Sequence, residues 1–165
     1  MSLNNIQLPG FILQDLFQKN LVDICNVNTE KPTVSKTGIP FSGDNHQQII
    51  VLINNPNEEF ISAEQQIFLN GILNACKLTM KDVALINLTA KTLHYQTIIK
   101  EFSPKIFLLF GVSPAAVQLP FVIPEFQKQM HNNLFYLSAP SLTELQNNKE
   151  LKRKLWDLLK QLFSL

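Results

Sequence analysis

The sequence predicts an α/β fold in three layers, with helices on both sides of a mostly parallel central sheet of about four strands. Three observations lead there. Continuous apolar runs rich in branched residues recur at QIIVLIN (48–54), VALINL (83–88), KIFLLFG (105–111) and NLFYLSA (133–139). Apolar runs without alternation mark strands covered on both faces. The segments between them carry apolar residues at helical spacing and are long enough for the crossovers that parallel strands need. Strand and helix alternate along the chain, which selects a layered α/β domain over separate α and β parts.

The first element expected is a helix over 11–24, FILQDLFQKNLVDI, whose apolar groups at 12, 13, 16, 17, 21 and 24 form one stripe just after Pro9-Gly10. Residues 29–46, TEKPTVSKTGIPFSGDNH, have no apolar period and read as a long surface loop. The run 48–54 is a central strand ended by Asn-Asn-Pro. After the turn NPNEEF, Ser62 and Gln65 have the spacing of a capping box, and Ile67, Phe68, Ile72, Leu73 and Cys76 are expected on one helical face. The polar break LTMKD leads to the strand VALINL, and TLHYQTIIKEF reads as a helix stopped by Ser103-Pro104. Behind KIFLLFG, Ser113-Pro114 has the form of a short helix start, a hydroxyl followed by proline in the first turn. The last strand, NLFYLSA, precedes a closing helix on which Leu151, Leu155, Leu158, Leu159 and Leu162 share a face, with Trp156 beside them and packed on the sheet.

With 165 residues, 45% hydrophobic and 16% charged, the chain suits a single domain over 1–165 with one sizeable core. Fourteen basic and thirteen acidic residues leave a net charge of +1, so no global field steers it toward nucleic acid or an anionic membrane. The N-terminus, MSLNNIQLPGF, lacks a basic segment followed by a long apolar run, and no long apolar span follows, so a cytoplasmic location without membrane contact is expected. Cys25 and Cys76 stand far apart with no CxxC spacing, and His46, His94 and His131 are scattered. Neither a metal nor a cofactor is expected, since there is no ligand spacing, Gly-rich phosphate cradle or nucleophile elbow.

In parallel sheets of this kind ligands bind at the carboxyl ends of the strands. Those ends are the turn after Ile53, the segment after Asn87, Gly111-Val112-Ser113-Pro114, and Ser138-Ala139-Pro140-Ser141. VLINNPNEEF, VALINL, SPKIFLLFG and APSLTELQNNKELKRKLWDLL resemble, in order and spacing over roughly 48–162, the uracil-DNA glycosylase superfamily. Within that superfamily the pattern is similar to the non-enzymatic psi subunits of the bacterial DNA polymerase III clamp loader. Those have an N-terminal helical segment and a final SPxLTxL motif leading to a Trp-bearing helix, here Ala139 to Leu145 and then Leu155-Trp156.

The glycosylase side of the resemblance implies roles that can be tried residue by residue. Base excision needs a pocket for a flipped nucleotide, a side chain that activates water, and a donor for the departing base anion. Asn55 matches the asparagine of the first-turn Asn-Pro motif, but Ile53 and Asn57 replace its glycines and obstruct a sugar-phosphate backbone. Asn87 resembles the residue that reads the uracil edge, and Phe60 the ring that stacks on it. Before Pro140-Ser141, where the superfamily carries histidine or asparagine, stands Ala139. Losing such a donor costs about 3–4 kcal/mol of transition-state stabilisation. The plainer alternatives are that the asparagines form turns or cap strands, that Phe60 is a core residue, and that Glu58 and Glu59 face solvent.

Lys149, Lys152, Arg153 and Lys160 are expected together on the closing helix, opposite the leucine stripe, with Lys154 off that side. They form either a weak phosphate-binding patch or a solvated face. Leu13, Leu16 and Phe17 are candidate partner-binding residues. The segment Leu13-Gln14-Asp15-Leu16-Phe17 partly echoes the peptide by which bacterial proteins dock on the sliding clamp, although Gln14 lies too close to Leu16-Phe17. The expectation is a non-catalytic psi-like adaptor, partnered by clamp-loader subunits and a small chi-like protein. A DNA repair glycosylase with a degenerate site is the alternative, and a small-ligand domain using the same sheet edge a third class.

Overall fold

A computed structural model describes residues 33–34, 36, 38–56, 61–88 and 93–164. The expected N-terminal helix, with Leu13, Leu16 and Phe17, lies outside the described residues, as do Asn57, Glu58, Glu59 and Phe60.

The described chain runs β1 (Thr33–Val34), β2 (Pro40–Phe41), β3 (Ile49–Ile53), α1 (Ala63–Ala75), β4 (Val83–Asn87), α2 (Tyr95–Phe102), β5 (Ile106–Phe110), β6 (Lys128–His131), β7 (Leu134–Ala139), α3 (Leu142–Asn147) and α4 (Lys149–Phe163). Five strands form the main sheet in the order β4-β3-β5-β7-β6. The four strands read from the apolar runs are parallel to one another, with Ile53 level with Asn87 on one side and Phe110 on the other, and Phe110 level with Ala139. The fifth, β6, runs antiparallel to β7 and was not expected. Its sequence KQMH has no apolar run, and it exists because Asn132 and Asn133 take positive φ (52° and 61°) and turn the chain as a tight hairpin.

The sheet separates two cores. Leu69 and Leu73 of α1, Leu145 of α3, and Leu155 and Leu159 of α4 pack on Val51, Leu85, Leu108 and Leu137. On the other face Ile98 and Phe102 of α2, with Ile39, Val117 and Ile123, pack on Ile50, Leu52, Ile86, Phe107 and Tyr136. Every residue of β3 and β4 is buried, which is why their sequences read as unbroken apolar runs.

Local chemistry sets the helix ends. Ser62 and Gln65 form the capping box, the Gln65 N–H donating to Ser62 Oγ (3.3 Å) and the Ser62 N–H to Gln65 Oε1 (3.4 Å). α2 stops at Ser103, which is left-handed at φ 43° and precedes Pro104. Asn148 caps α4 by accepting from the N–H groups of Glu150 and Leu151. The segment after Ser113 is only a 3-10 turn, Pro114–Val117, and the Ser113 side chain does not cap it.

Three readings change. Residues 29–46 are not surface loop throughout: β1 and β2 pair, Ile39 is buried, and Ser42 exchanges backbone hydrogen bonds with Leu85 on the outer side of β4 (2.9 and 2.8 Å). Gly43 (φ 98°) makes that approach possible, since a Cβ there would collide with the carbonyl oxygens of Val83 and Met80. The inward face of α1 is centred on Leu69, Leu73 and Cys76, leaving Phe68 and Ile72 half-buried and Ile67 73% exposed. Trp156, half-buried against the helix-side core, also lines a groove between α1 and α4 that the sequence did not mark.

Candidate functional site

The order β4-β3-β5-β7 means that the chain leaves β3 toward one side and returns on the other, so the crevice between the carboxyl ends of β3 and β5 is the topological switch point of the sheet. Two clefts open along this edge. One, of about 240 Å³, is lined by Asn54, Asn55, Pro56, Gln65, Ser141 and Thr143 over a floor of Ile53 and Phe110. The other, of about 460 Å³, lies beside it between the β5 tip and the β7–α3 turn, with Ser113, Glu125, Ser138, Ala139, Ser141 and Glu144 among its lining residues. Gly111, at φ 63°, lets the β5 tip pass the β7–α3 turn; a Cβ there would lie 2.9 Å from that of Ser141.

Of the residues singled out in the sequence, Asn55 and Asn87 are brought together. The Asn55 N–H donates to Asn87 Oδ1 (3.1 Å) and Asn87 Nδ2 donates back to the Asn55 carbonyl (3.0 Å). Asn87 is 3% exposed, and its carboxamide continues the ladder past the end of the sheet by standing in for a peptide group. Asn55 Nδ2 donates to Gln65 Oε1 (3.1 Å), and Gln65 Nε2 donates to Thr143 Oγ1 (2.9 Å). A single chain of amides therefore ties the ends of β3 and β4 to the first turns of α1 and α3. Gln65 and Thr143 were not marked as site residues. The capping box was the legible signal for Gln65; nothing local marks Thr143.

Ala139 closes β7 with its backbone carbonyl accepting from the Gly111 N–H (2.9 Å), and its methyl group belongs to the helix-side core at 3% exposure. Pro140 is buried behind it. Ser141 lines both clefts, and its hydroxyl caps α3 by accepting from the Glu144 N–H (3.3 Å). Glu125 is held across the larger cleft by a backbone bridge to Ser138. Among the described residues, the charged side chains lining these clefts are two carboxylates, Glu125 and Glu144. The hydroxyls of Ser113, Ser138 and Ser141 share the larger cleft with these two carboxylates, and that of Ser141 accepts from the Glu144 backbone N–H.

The basic residues are elsewhere and do not form one strip. Lys149 and Arg153 are exposed on α4. Lys152, expected on the same side, turns toward α1 and lies over the Phe68 ring (5.6 Å), whereas Lys154 lies over Phe126 (6.0 Å) and Lys160 over Trp156 (5.3 Å) and near Asp157 (3.8 Å). Among the described residues no group of histidine, cysteine or acidic side chains is arranged to hold a metal ion. None of their helices is long and apolar enough to cross a membrane.

A different surface opens on the helical face. α1 and α4 diverge around a groove of about 350 Å³ lined by Ile67, Phe68, Gly71, Ile72, Ala75, Lys152, Leu155, Trp156 and Leu159. Lys152 is the one charged residue among the described residues that line it. The chain matches no protein-family model and no curated protein.

Proposed function

We propose that this protein is a non-catalytic adaptor of the psi type, built on a glycosylase-like sheet and joining clamp-loader ATPase subunits to a small chi-like partner in DNA replication. The single observation that carries this reading is the combination at the tip of β7: a core-facing Ala139 beside a cleft whose charged lining, among the described residues, is Glu125 and Glu144. A departing base anion, or the phosphates flanking a flipped nucleotide, would meet two like charges there. Asn55 and Asn87 add support, because the Asn87 carboxamide is engaged by the Asn55 backbone and the Asn55 amide donates to Gln65, capacity that a substrate would otherwise claim. The rings under the α4 ammonium groups and the spread of those groups around the helix make DNA contact weak.

The test is a paired one. The purified full chain, mixed with reconstituted clamp-loader subunits and a chi-like protein, should co-elute with them, and it should leave uracil-containing single- and double-stranded DNA intact. Release of uracil that disappears in Asn55→Ala would return the protein to the repair enzymes.

A further inference from the structure

The two walls of the α1–α4 groove differ. The α1 wall is uncharged: Phe68 and Ile72 turn toward it the sides they do not give to the core, Ile67 is 73% exposed, and Gly71 and Ala75 add almost no bulk. The α4 wall carries Lys152, Trp156 and Lys160, spaced four residues apart and so stacked along one side of that helix. Both ammonium groups are drawn onto rings of the groove, Lys152 over Phe68 (5.6 Å) and Lys160 over Trp156 (5.3 Å). Lys160 has the exposed Asp157 at 3.8 Å, whereas Lys152 has no carboxylate within ion-pair distance among the described residues. We propose that this groove receives an amphipathic helix of another protein, acidic along one flank, with its apolar face on Ile67, Phe68 and Trp156 and its carboxylates on Lys152 and Lys160.

Charge, backbone chemistry and shape select this occupant. Positions 152 and 160 lie about 12 Å apart along α4, which matches carboxylates two turns apart on a helix laid beside it. The peptide groups of α1 and α4 are bonded within their own helices, so an extended chain would find none to pair with. A helix brings its own backbone bonds and needs only side-chain contact, the helix-in-groove mode of recognition. Gly71 supplies a notch for it. That residue has no left-handed φ, and a Cβ there would meet nothing within 4 Å, so no contact among the described residues requires glycine inside α1, where it weakens the helix. Its bare backbone instead lets a second helix approach closely between Ile67 and Ala75. The α1 wall, thirteen residues and about 20 Å long, seats three to four turns. The inference goes beyond the adaptor reading and does not depend on it.

Trp156 is the only tryptophan, so it reports on the groove directly. The probes are two lactam-bridged helices of about four turns, free of tryptophan and sharing one leucine stripe, with glutamates on the flank of one and lysines on the flank of the other. Each is titrated into the full chain. The acidic helix should change Trp156 emission saturably and bind about tenfold or more tightly than the basic one at low salt, a margin that shrinks as salt rises. Lys152→Glu should reverse the preference. Gly71→Leu, which fills the notch with a better helix former, should weaken binding about tenfold or more while leaving the urea midpoint unchanged or raised. Equal affinity for the two helices overturns the proposal, as does the lack of a saturable Trp156 response or acidic-helix binding that survives both substitutions. Trp156 emission that changes with protein concentration before any helix is added also overturns it, because a second copy is then the occupant.

Discussion

At the carboxyl edge of the sheet the polar side chains have already found one another, whereas between α1 and α4 the apolar ones have not. Asn87, Asn55, Gln65 and Thr143 form one connected set in the first region. In the second, Ile67 is exposed, and Phe68 and Ile72, which pack on the core on one side, border open space on the other. An unpaired amide costs free energy unless a partner is supplied, and an uncovered apolar face does likewise. The chain has met the first cost internally and left the second outstanding. The difference teaches that position in the fold, at a switch point, marks where a site would be expected, while the state of the side chains marks where a partner is still needed.

The comparison holds only if both surfaces are skins over sealed cores, and alkaline pH tests that with the largest effect. Burial pushes the Cys76 thiol up to about 11 from an ordinary 9.0, and burial together with Tyr95 pushes the Tyr136 hydroxyl up to about 12 from 10.0. Both ionise first in the unfolded chain, so their contribution is complete below pH 9.0 and is lost as pH rises through 11 and 12. Each is worth on the order of 2–3 kcal/mol. Urea midpoints measured from pH 8 upward should fall across this range. Tyr136→Phe should remove the upper limb while leaving neutral-pH stability unchanged or slightly improved, because the buried hydroxyl has no hydrogen-bond partner among the described residues.

Leu159→Ala removes a buried side chain from the floor of the groove and should cost about 2–5 kcal/mol in thermal or chemical unfolding. A much smaller loss would mean that the groove penetrates the core. Asn87→Ala strips the Asn55 backbone of both its partners and should cost about 2 kcal/mol. A neutral result would break the claim that the sheet edge is internally satisfied. The smallest effects separate two neighbours on α4: Lys152→Ala should lose roughly 0.5–1 kcal/mol through its contact with the Phe68 ring, and Arg153→Ala, exposed, should stay within about 0.5 kcal/mol.

The α/β class and the four parallel strands could be read from the sequence because each strand is buried on both faces and so spells itself as an apolar run. β6 could not be read that way. It lies at the margin of the sheet, three of its four residues are exposed, and its only mark is the Asn132-Asn133 turn. Ile39 lies in a Gly- and Pro-containing stretch with no apolar period, so its burial depends on Gly43 and Ser42 bringing that segment against β4. Asn55, Asn87 and Ala139 were found from strand ends, but the linkage of Asn87 and Asn55 through Gln65 to Thr143 joins residues far apart in sequence and is a product of folding. Glu125 and Glu144 went unremarked for the same reason: nothing in sequence says that a loop and a helix turn will line one cleft. On α1, apolar spacing gave the helix but could not tell the buried Leu69 and Leu73 from the half-buried Phe68 and Ile72.

The pairing of Ser42 with Leu85 has a consequence for how the protein behaves when crowded. Without it, β4 would offer a row of bare peptide groups, from Val83 to Asn87, flanked by branched apolar side chains, which is the template on which strands from other molecules stack into fibrils. At the opposite margin β6 is short and carries Lys128 and His131, a poor surface for such growth. Residues 38–46 therefore act as a guard rail, and a variant lacking them should aggregate from solutions in which the intact chain remains dispersed.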